Sequence, residues 1–233
     1  MDWLSADNFF SLNAFEHAPL FVPGQPVYAA LGPALDAYLA GWSRWEIETV
    51  LPPGVHVLDG PIAIAAGCRI EPGAVLRGPL VIGEGSEIRT GAYLRGRVVI
   101  GRGCVVGAHS EVKGSILLDG AHAPHQNYVG DSILGAGVNL GAGTILSNVK
   151  NVGREIAIRH GETLVHTGLR KLGAILGDGC RTGCNAVLNP GTLMGPECIV
   201  YPNATLRSGF YPPRTLVKVR QVQQHVLLDA VRR

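Results

Sequence analysis

Residues 80–101 read LVIGEGSEIRTGAYLRGRVVIG, and every sixth residue of this stretch is aliphatic. These aliphatic residues are Ile82, Ile88, Leu94 and Ile100. The same phase extends over residues 58–118 and resumes over 134–146 and 176–206, with Thr182 as an exception. Six residues are three strand periods and do not fit the 3.6-residue period of a helix. Each hexad therefore predicts one short strand with its aliphatic side chain inward, followed by a corner that often contains glycine.

The residue two positions before each aliphatic residue is also predicted to point inward, and it is mostly small. Four of the five cysteines occupy this position, namely Cys68, Cys104, Cys180 and Cys198. We therefore interpret them as core residues rather than as disulfide, metal or redox groups. A short repeat of this kind is typical of a parallel β-helix. Three hexads per turn predict six or seven coils, stacked at about 4.8 Å per coil.

The composition excludes several other classes of protein. The chain has 32 glycines among 233 residues, 46% apolar residues and 16% charged residues. A disordered chain would have more charge and fewer apolar groups, and collagen would have glycine at every third position. We find no apolar run of about 18 residues and no secretory signal in the first residues. With a net charge of +2, the sequence predicts a cytoplasmic protein that binds neither membranes nor nucleic acid.

The repeat divides the chain into three parts. Residues 58–212 are predicted to form the β-helix, residues 1–57 an N-terminal helical cap, and residues 213–233 a C-terminal helical segment. Pro33 suits the first turn of the N-terminal helix, and Val222, Val226 and Ala230 share one face of the C-terminal helix. Such caps are expected because an open β-helix end exposes strand edges.

Two segments interrupt the hexads and are predicted to be loop excursions, near residues 119–131 and 147–173. Polar loops on a rigid scaffold are where functional groups concentrate. The first contains His122 and His125, and from the residues alone each is either a surface histidine or a catalytic base. Their H-x-x-H spacing has no third ligand nearby, so we predict no metal site.

The motifs of this region resemble those of a known family. They are Arg95, Glu111-Val112-Lys113, His125, Tyr128-Val129-Gly130-Asp131, Asn139-Leu140-Gly141-Ala142-Gly143-Thr144 and Asn148. Their order and spacing resemble the hexapeptide-repeat acetyltransferase domain of bifunctional UDP-N-acetylglucosamine pyrophosphorylase/glucosamine-1-phosphate N-acetyltransferases. The stretches HTGLRKLGAILGDG and GCNAVLNPGTLMGP look closer to the archaeal-type sugar-phosphate nucleotidyltransferase group. The resemblance covers roughly residues 60–210 and implies a left-handed parallel β-helix that assembles as a homotrimer, with sites between subunits.

The resemblance also implies an acetyl transfer reaction. By matched position, His125 is the general base that takes a proton from the amino group of an amino-sugar-1-phosphate, glucosamine-1-phosphate or galactosamine-1-phosphate. Asn148 orients the acetyl-CoA co-substrate and helps to polarise its thioester carbonyl. No metal is required. The residues that match acceptor contacts are Arg95 and Lys113 for the phosphate, and Tyr128 and Asn139 for the sugar.

Three further residues correspond to positions that contact coenzyme A. Cys184 stands where the family usually has serine, Pro202 aligns with the following contact, and Arg220 matches a basic residue near the C-terminus. The alternative interpretation of the acceptor residues is structural. Arg95 and Lys113 would then be solvated corner residues, and asparagines such as Asn148 would occupy left-handed corners, a conformation that asparagine tolerates.

The bifunctional relatives also carry a nucleotidyltransferase domain that opens with a glycine-rich motif, which residues 1–57 lack. We therefore expect no nucleotidyltransferase activity from this chain. A second hypothesis is a non-catalytic trimeric β-helix that binds a sugar phosphate or nucleotide sugar and regulates or assembles with a separate nucleotidyltransferase. A β-helical carbonic anhydrase would need three zinc-binding histidines, and we cannot assemble such a set from this sequence.

Overall fold

The computed structural model describes residues 2–222, which form short strands, one α-helix and four 3₁₀ helices. The 3₁₀ helices are Asp2–Leu4, Ala6–Asn8, Ala18–Leu20 and Val27–Ala30, and the α-helix, α1, is Pro33–Ala40. The strands are β1 His56–Val57, β2 Ile62–Ile64, β3 Arg69–Ile70, β4 Val75–Arg77, β5 Leu80–Ile82, β6 Glu87–Ile88, β7 Tyr93–Arg95, β8 Val98–Ile100, β9 Val105–Ala108, β10 Glu111–Lys113, β11 Ile116–Leu117, β12 His122–His125, β13 Tyr128–Gly130, β14 Ile133–Leu134, β15 Ile145–Leu146, β16 Ala157–His160, β17 Thr163–His166, β18 Ala174–Leu176, β19 Arg181–Thr182, β20 Val187–Leu188, β21 Thr192–Met194, β22 Ile199–Val200, β23 Thr205–Leu206, β24 Gly209–Tyr211 and β25 Leu216–Val217.

The strands form three parallel sheets, and the chain visits the sheets in turn. Sheet 1 has the order β1-β4-β7-β10-β13-β15-β20-β23, and sheet 2 has the order β2-β5-β8-β11-β14-β18-β21-β24. Sheet 3 consists of β3-β6-β9-β12 and β19-β22-β25, which are joined by bridges from Asn139 to His122 and to Arg181. Each strand pairs with the strand one turn later in the chain, as Leu76 does with Leu94. The parallel β-helix that the hexads predict is therefore confirmed.

The interior is a stack of the in-phase aliphatic side chains. Leu76, Leu94 and Val112 on successive strands of sheet 1 are completely buried. The cysteine prediction is also confirmed, because Cys104, Cys180 and Cys198 have 0% exposure, Cys68 has 8%, and all are free thiols. Thr182, the exception to the aliphatic pattern, is buried as well, and its hydroxyl bonds to that of Thr144 at 2.8 Å.

The coil is longer than the predicted 58–212 segment. Sheets 1 and 2 each contain eight strands rather than six or seven, and β1 lies before residue 58. Residues 46–48 also pair with the free edge of β2, where Glu48 N donates to Ile64 O at 2.8 Å. At the other end, β25 lies inside the predicted C-terminal helical segment. The predicted helix around Val226 and Ala230 lies outside the described residues.

The first interruption, near residues 119–131, is a regular part of the coil, so the prediction of a loop excursion there is wrong. In sheet 1, Tyr93 pairs with Glu111, and in sheet 2, Val99 pairs with Ile116. The second pair is closer in sequence than the first, so the corner between β10 and β11 is one residue shorter than the corner between β7 and β8. A corner that is one residue shorter changes the phase of the hexads, and so does an inserted loop. The change of phase alone therefore does not distinguish the two. As a result Leu117, not Leu118, points into the interior.

The second interruption, residues 147–173, does leave the coil, between β15 and β18. It contains an antiparallel hairpin of β16 and β17, in which Ile158 pairs with Val165. Both residues pack into a second apolar cluster outside the prism. The hairpin lies against β24 of sheet 2, where Ser208 Oγ donates to Ala157 O at 2.7 Å.

The N-terminal segment covers the outer face of sheet 2 along its length, rather than the end of the prism. Outward residues of sheet 2 such as Val99 and Leu193 are completely buried in the same cluster as Phe9 and Leu35. The helix predicted from Pro33 is present as α1. Burial on both faces explains why the strands of sheet 2 are apolar throughout. No helix in the described part of the chain is long and apolar enough to cross a membrane.

The packing of His17 predicts a pH dependence of stability. His17 is 1% exposed, and its Nδ1 shares a 2.9 Å hydrogen bond with the Tyr38 hydroxyl. Burial lowers the pKa of His17 from 6.5 to about 4. The unfolded chain therefore binds this proton more readily than the folded chain, so the stabilisation is present above pH 6.5 and is lost as the pH falls towards 4.

We expect the free energy of unfolding to fall by about 3 kcal/mol across this window from His17 alone. Urea unfolding at pH 7 and pH 4.5 would measure the effect. The His17→Gln variant, which does not titrate there, should lose correspondingly less stability. An identical pH dependence in both proteins would contradict the prediction.

Candidate active site

The carboxyl ends of the sheet 1 strands bring several predicted site residues together. In β7 and β10 the middle residues, Leu94 and Val112, point inward, so the flanking residues point outward because strand side chains alternate. Arg95 and Lys113 thus follow one another on neighbouring strands. They belong to a row at the ends of successive strands, which we call the end row of sheet 1. Its members in order are Arg77, Arg95, Lys113, Gly130, Ser147, Asn189 and Arg207.

Lys113 of this row belongs to a hydrogen-bonded network of four residues, with Asp131, Asn148 and Tyr128. Lys113 Nζ donates to Asp131 Oδ2 at 2.6 Å, and Asn148 Nδ2 donates to the same oxygen. Asn148 Oδ1 accepts from the Tyr128 hydroxyl at 3.3 Å. The Asp131 side chain is only 7% exposed, and a buried carboxylate needs such partners. Asp131 therefore fixes the positions of Lys113 and Asn148 relative to each other.

Arg95 is held next to this network by a carboxylate of its own. Its guanidinium donates to Glu111, which raises the pKa of Arg95. Burial raises the pKa of Tyr128, and the negative charges of Glu111 and Asp131 raise it further. Tyr128 therefore keeps its proton at neutral pH and acts as a hydrogen-bond donor. Arg97 also approaches Asp131, at 3.9 Å, and pairs with Asp36, so three cations and three carboxylates of this region balance in charge.

His125 lies at a different place, on the corner that leads from sheet 3 into sheet 1. Its ring is exposed, and its backbone N donates to Asn127 Oδ1 at 3.0 Å. It pairs with Ala108 on the preceding coil, and its carbonyl accepts from Gly143 N, next to Ala142, on the following coil. These small neighbours leave the imidazole open to a ligand from outside.

Two of the predicted coenzyme-contacting residues continue the same corner. Asn185 N donates to Ala142 O at 2.8 Å, and Asn203 N donates to Cys184 O at 2.9 Å. His125, Ala142, Cys184 and Pro202 therefore occupy equivalent places on successive coils. At about 4.8 Å per coil, His125 and Cys184 are about 10 Å apart along the axis.

The remaining predicted site residues lie elsewhere. Asn139 is exposed on sheet 3, between His122 and Arg181, and does not join the network of Asp131. Arg220 is exposed and lies beyond β25. Within one chain, His125 precedes β13, whereas Asp131 follows it and Tyr128 is its first residue.

Glu111 and Asp131 belong to the motifs that resemble the acetyltransferase family, but the sequence alone indicated no role for either. Both carry charges opposite to those of the residues that they contact, Arg95 and Lys113. Lys113 pairs with Gly130 on the next coil, and Asp131 is the residue after Gly130, because this turn has 17 residues rather than three full hexads. The repeat therefore predicts that the two charges are close, but not that Asp131 lies one residue past the register.

No cluster of three or more histidine, cysteine, aspartate or glutamate side chains suited to a metal ion is present among residues 2–222. A cavity of about 610 Å³ lies between the N-terminal segment and the hairpin. Leu4, Tyr28 and Val165 line it, and none of the predicted site residues does.

Thiol chemistry should single out Cys184. It is exposed, whereas the other four cysteines are buried, and burial raises the pKa of Cys104 to about 12. Because the thiolate is the reactive form, a disulfide reagent should titrate one thiol rapidly in the folded protein. No thiol of the Cys184→Ser variant should react with the reagent at that rate. The four buried cysteines should react only after unfolding. Rapid reaction of a second thiol would contradict the packing of the core.

Comparisons with known proteins agree with the motifs. Residues 76–169 match the family described as "GMPPB C-terminal domain". The bifunctional sugar-1-phosphate nucleotidylyltransferase/acetyltransferase of Sulfurisphaera tokodaii is 38% identical over 96 residues, which is 41% of this chain and 24% of that protein. The bifunctional protein GlmU of Methanococcus maripaludis (strain C7) is 38% identical over 97 residues, 42% of this chain and 23% of that protein.

The aligned region spans about a quarter of the length of these curated relatives. Among solved structures, the polysialic acid O-acetyltransferase OatWY aligns with a TM-score of 0.42 at 13% identity, over 75% of this chain and 94% of that chain. The sequence comparisons confirm that this chain is similar, over about two-fifths of its length, to bifunctional sugar-1-phosphate nucleotidylyltransferase/acetyltransferases.

Proposed function

We propose that this chain is an acyltransferase that moves the acetyl group of acetyl-CoA to the amino group of an amino-sugar-1-phosphate. The observation that carries the proposal is the network of Lys113, Asp131, Asn148 and Tyr128. It joins residues that the family resemblance assigns to the acceptor phosphate, the sugar and the acyl donor. The similarity to bifunctional nucleotidylyltransferase/acetyltransferases supports the same reaction class.

The reaction needs a free amine, because only the neutral nitrogen has a lone pair with which to attack the thioester carbonyl. In the proposal the His125 imidazole accepts the proton that the amino group loses, a role suited to an exposed imidazole. The amine nitrogen adds to the thioester carbon to form a tetrahedral oxyanion, and as the carbon–oxygen double bond re-forms the carbon–sulfur bond breaks and coenzyme A leaves as the thiol with the proton that His125 had accepted. The ligand would lie across the outer face of sheet 1, beside Tyr128.

Asn148 would stabilise the negative charge that develops on the carbonyl oxygen. Its side-chain amide carries two N–H groups, and one of them donates to Asp131. The second N–H remains for the substrate. Because Asp131 and the Tyr128 hydroxyl hold both ends of the amide, the donor is oriented before the reaction, which is the requirement for this kind of stabilisation.

The proposal includes a homotrimer with its sites between subunits. Within one chain, the path from His125 to Asp131, to which Asn148 is hydrogen-bonded, covers six residues and about 20 Å of extended chain, so the two groups would not act on one carbonyl group. A second copy of the chain facing sheet 1 would bring the corner of one subunit towards the network of another. Light scattering after size-exclusion chromatography tests this part, and a monomer of full activity would contradict it.

A non-catalytic binding module is the second candidate. It is favoured by the ion pairs of the predicted phosphate ligands, since Arg95 is already paired with Glu111 and Lys113 with Asp131. Such a module would bind a sugar phosphate or nucleotide sugar without turnover. Neither candidate includes nucleotidyl transfer. Residues 2–45, which precede the coil, form short helices and turns that pack against sheet 2.

Two measurements separate the candidates. Thiol release from acetyl-CoA is followed with glucosamine-1-phosphate and with galactosamine-1-phosphate, and thermal unfolding is followed with and without coenzyme A. The acyltransferase should release thiol with at least one sugar and should be stabilised by coenzyme A, because a ligand that binds only the folded state raises its stability. A folded protein that shows neither result would refute the acetyltransferase and favour the binding module.

A further inference from the structure

A groove of about 360 Å³ lies beside Asn148, at the carboxyl end of sheet 1. Three residues of the end row, Ser147, Asn189 and Arg207, line one wall. Lys150, from the start of the 147–173 excursion, lines another part. The groove is therefore built where the excursion leaves the coil, and it continues the edge of the sheet on which Lys113 lies. No residue of the groove has a role in the proposed reaction as described above.

The end row places this groove at a definite distance from the Asp131 network. Arg207 follows Lys113 after four steps along the row, through Gly130, Ser147 and Asn189. At about 4.8 Å per strand, this corresponds to about 19 Å. Gly130 and Ser147 are small, so the path along the row between the two places is not blocked by large side chains.

The groove differs from the network in its charge. No aspartate or glutamate lines it, and neither Lys150 nor Arg207 forms an ion pair within residues 2–222. Lys150 Nζ donates to the backbone carbonyl of Glu155 at 3.1 Å, which leaves two of its three donors for other partners. Arg95 and Lys113, in contrast, are each paired with a carboxylate. The Glu155 carboxylate partly compensates the charge of Lys150, but no carboxylate lines the groove itself, so its two cations are less compensated than Arg95 and Lys113 and attract a bound anion more strongly.

The groove also has an apolar part. Val149 and Val152 are 45% and 75% exposed, and both line it beside Lys150. The Ser147 hydroxyl and the Asn189 side chain add hydrogen-bonding groups. A ligand that carries a phosphate on a larger organic group matches this combination better than a free inorganic ion does, because it can use the cations and the apolar wall together.

We propose that Lys150 and Arg207 bind a phosphate group of one of the two substrates of the acyl transfer. The inference deepens the proposed function and rests on it for the identity of the ligand. The shared chemistry is a phosphate ester, and it has two sources, coenzyme A and the sugar phosphate. A ligand phosphate in the groove would place the remainder of that ligand along the end row, next to Asn148.

Calorimetric titration of the Lys150→Gln, Arg207→Gln and doubly substituted chains tests the proposal. The probes are coenzyme A, dephospho-coenzyme A, glucosamine-1-phosphate and inorganic phosphate. Loss of a charged hydrogen bond should weaken binding by about tenfold per cation, and the double variant should also show a weaker dependence on salt. The probe that loses affinity identifies the source. An effect on coenzyme A that is absent with dephospho-coenzyme A would identify its 3′-phosphate.

Arg77→Gln is the control, because Arg77 lies at the opposite end of the same row, is half-buried and pairs with Asp59 rather than lining the groove. It should bind every probe as the unchanged chain does. The proposal is overturned if the double variant binds all probes with unchanged affinity, if Arg77→Gln weakens binding equally, or if the unchanged chain binds neither substrate. Binding that depends on the cations without thiol release would retain the groove and refute the acyltransferase. Thiol release by a double variant that binds every probe normally would support the acyltransferase and refute the role of the groove.

Discussion

The His125→Ala chain should lose acetyl transfer by about 10²- to 10⁴-fold in kcat, which is the usual contribution of a general base. His125 is exposed at a corner, between the small residues Ala108 and Ala142, so its removal leaves the core untouched. We therefore expect the midpoint of thermal unfolding to stay within a few degrees of that of the unchanged chain. Thiol release under saturating acetyl-CoA and sugar phosphate measures the effect.

His122→Ala is the matched control for this variant. His122 lies three residues earlier on β12 and is half-buried on sheet 3, in line with Asn139 and Arg181. Its substitution should leave turnover within a few-fold. If His122→Ala abolishes turnover while His125→Ala retains it, the base is His122. Full activity in both variants would remove general-base catalysis by either histidine from the proposal.

The second large effect is expected for Asn148. The Asn148→Ala chain should lose about 10²- to 10³-fold in kcat, the loss typical for removal of one donor to a developing oxyanion. The substitution also leaves Asp131 and Tyr128 without one partner, and we expect a loss of about 1–3 kcal/mol in the free energy of unfolding. Activity must therefore be measured at a temperature at which the variant is folded.

The Lys113→Ala variant separates oxyanion stabilisation by Asn148 from binding of the substrate. Lys113 is the other donor to Asp131, so the two variants disturb the same carboxylate. If Lys113 binds the acceptor phosphate, its removal should raise KM for the sugar phosphate more than it lowers kcat. Asn148→Ala should lower kcat more than it raises KM, because Asn148 interacts with the charge that develops in the transition state. Equal effects on both constants in both variants would indicate that the network is only structural.

Much of the coil could be predicted because the residue pattern within each hexad is enough to assign its inward and outward side chains. The alternation of Leu94 between Tyr93 and Arg95, and the return of that pattern at every third hexad, determine which side chains point inward. Cys104 and the other in-phase cysteines follow from the same count. The shortened corner before Leu117 could not be located, since a shift of phase records that a residue is missing but not where.

The sequence does not predict that the N-terminal segment covers the outer face of sheet 2. The triplets Leu80-Val81-Ile82 and Val98-Val99-Ile100 are apolar on both faces, in contrast to Tyr93-Leu94-Arg95. This difference predicts that one side of the prism is buried from outside. It does not say that Phe9 and Leu35 bury it, because an apolar face accepts any apolar partner and the hydrophobic effect has no direction.

For the candidate site, the sequence by itself determined that Arg95 and Lys113 share one row, since residues one coil apart must be neighbours in a parallel β-helix. It also determined the interior and the chemistry that the motifs make available. Only the tertiary structure decided that Asp131 joins Lys113 to Asn148, that His125 ends β12 on a corner away from this network, and that Lys150 and Arg207 line one groove. The physical reason is that the repeat fixes contacts between successive coils. The directions taken by polar side chains and by an inserted loop depend on which distant partners satisfy their charges and hydrogen bonds.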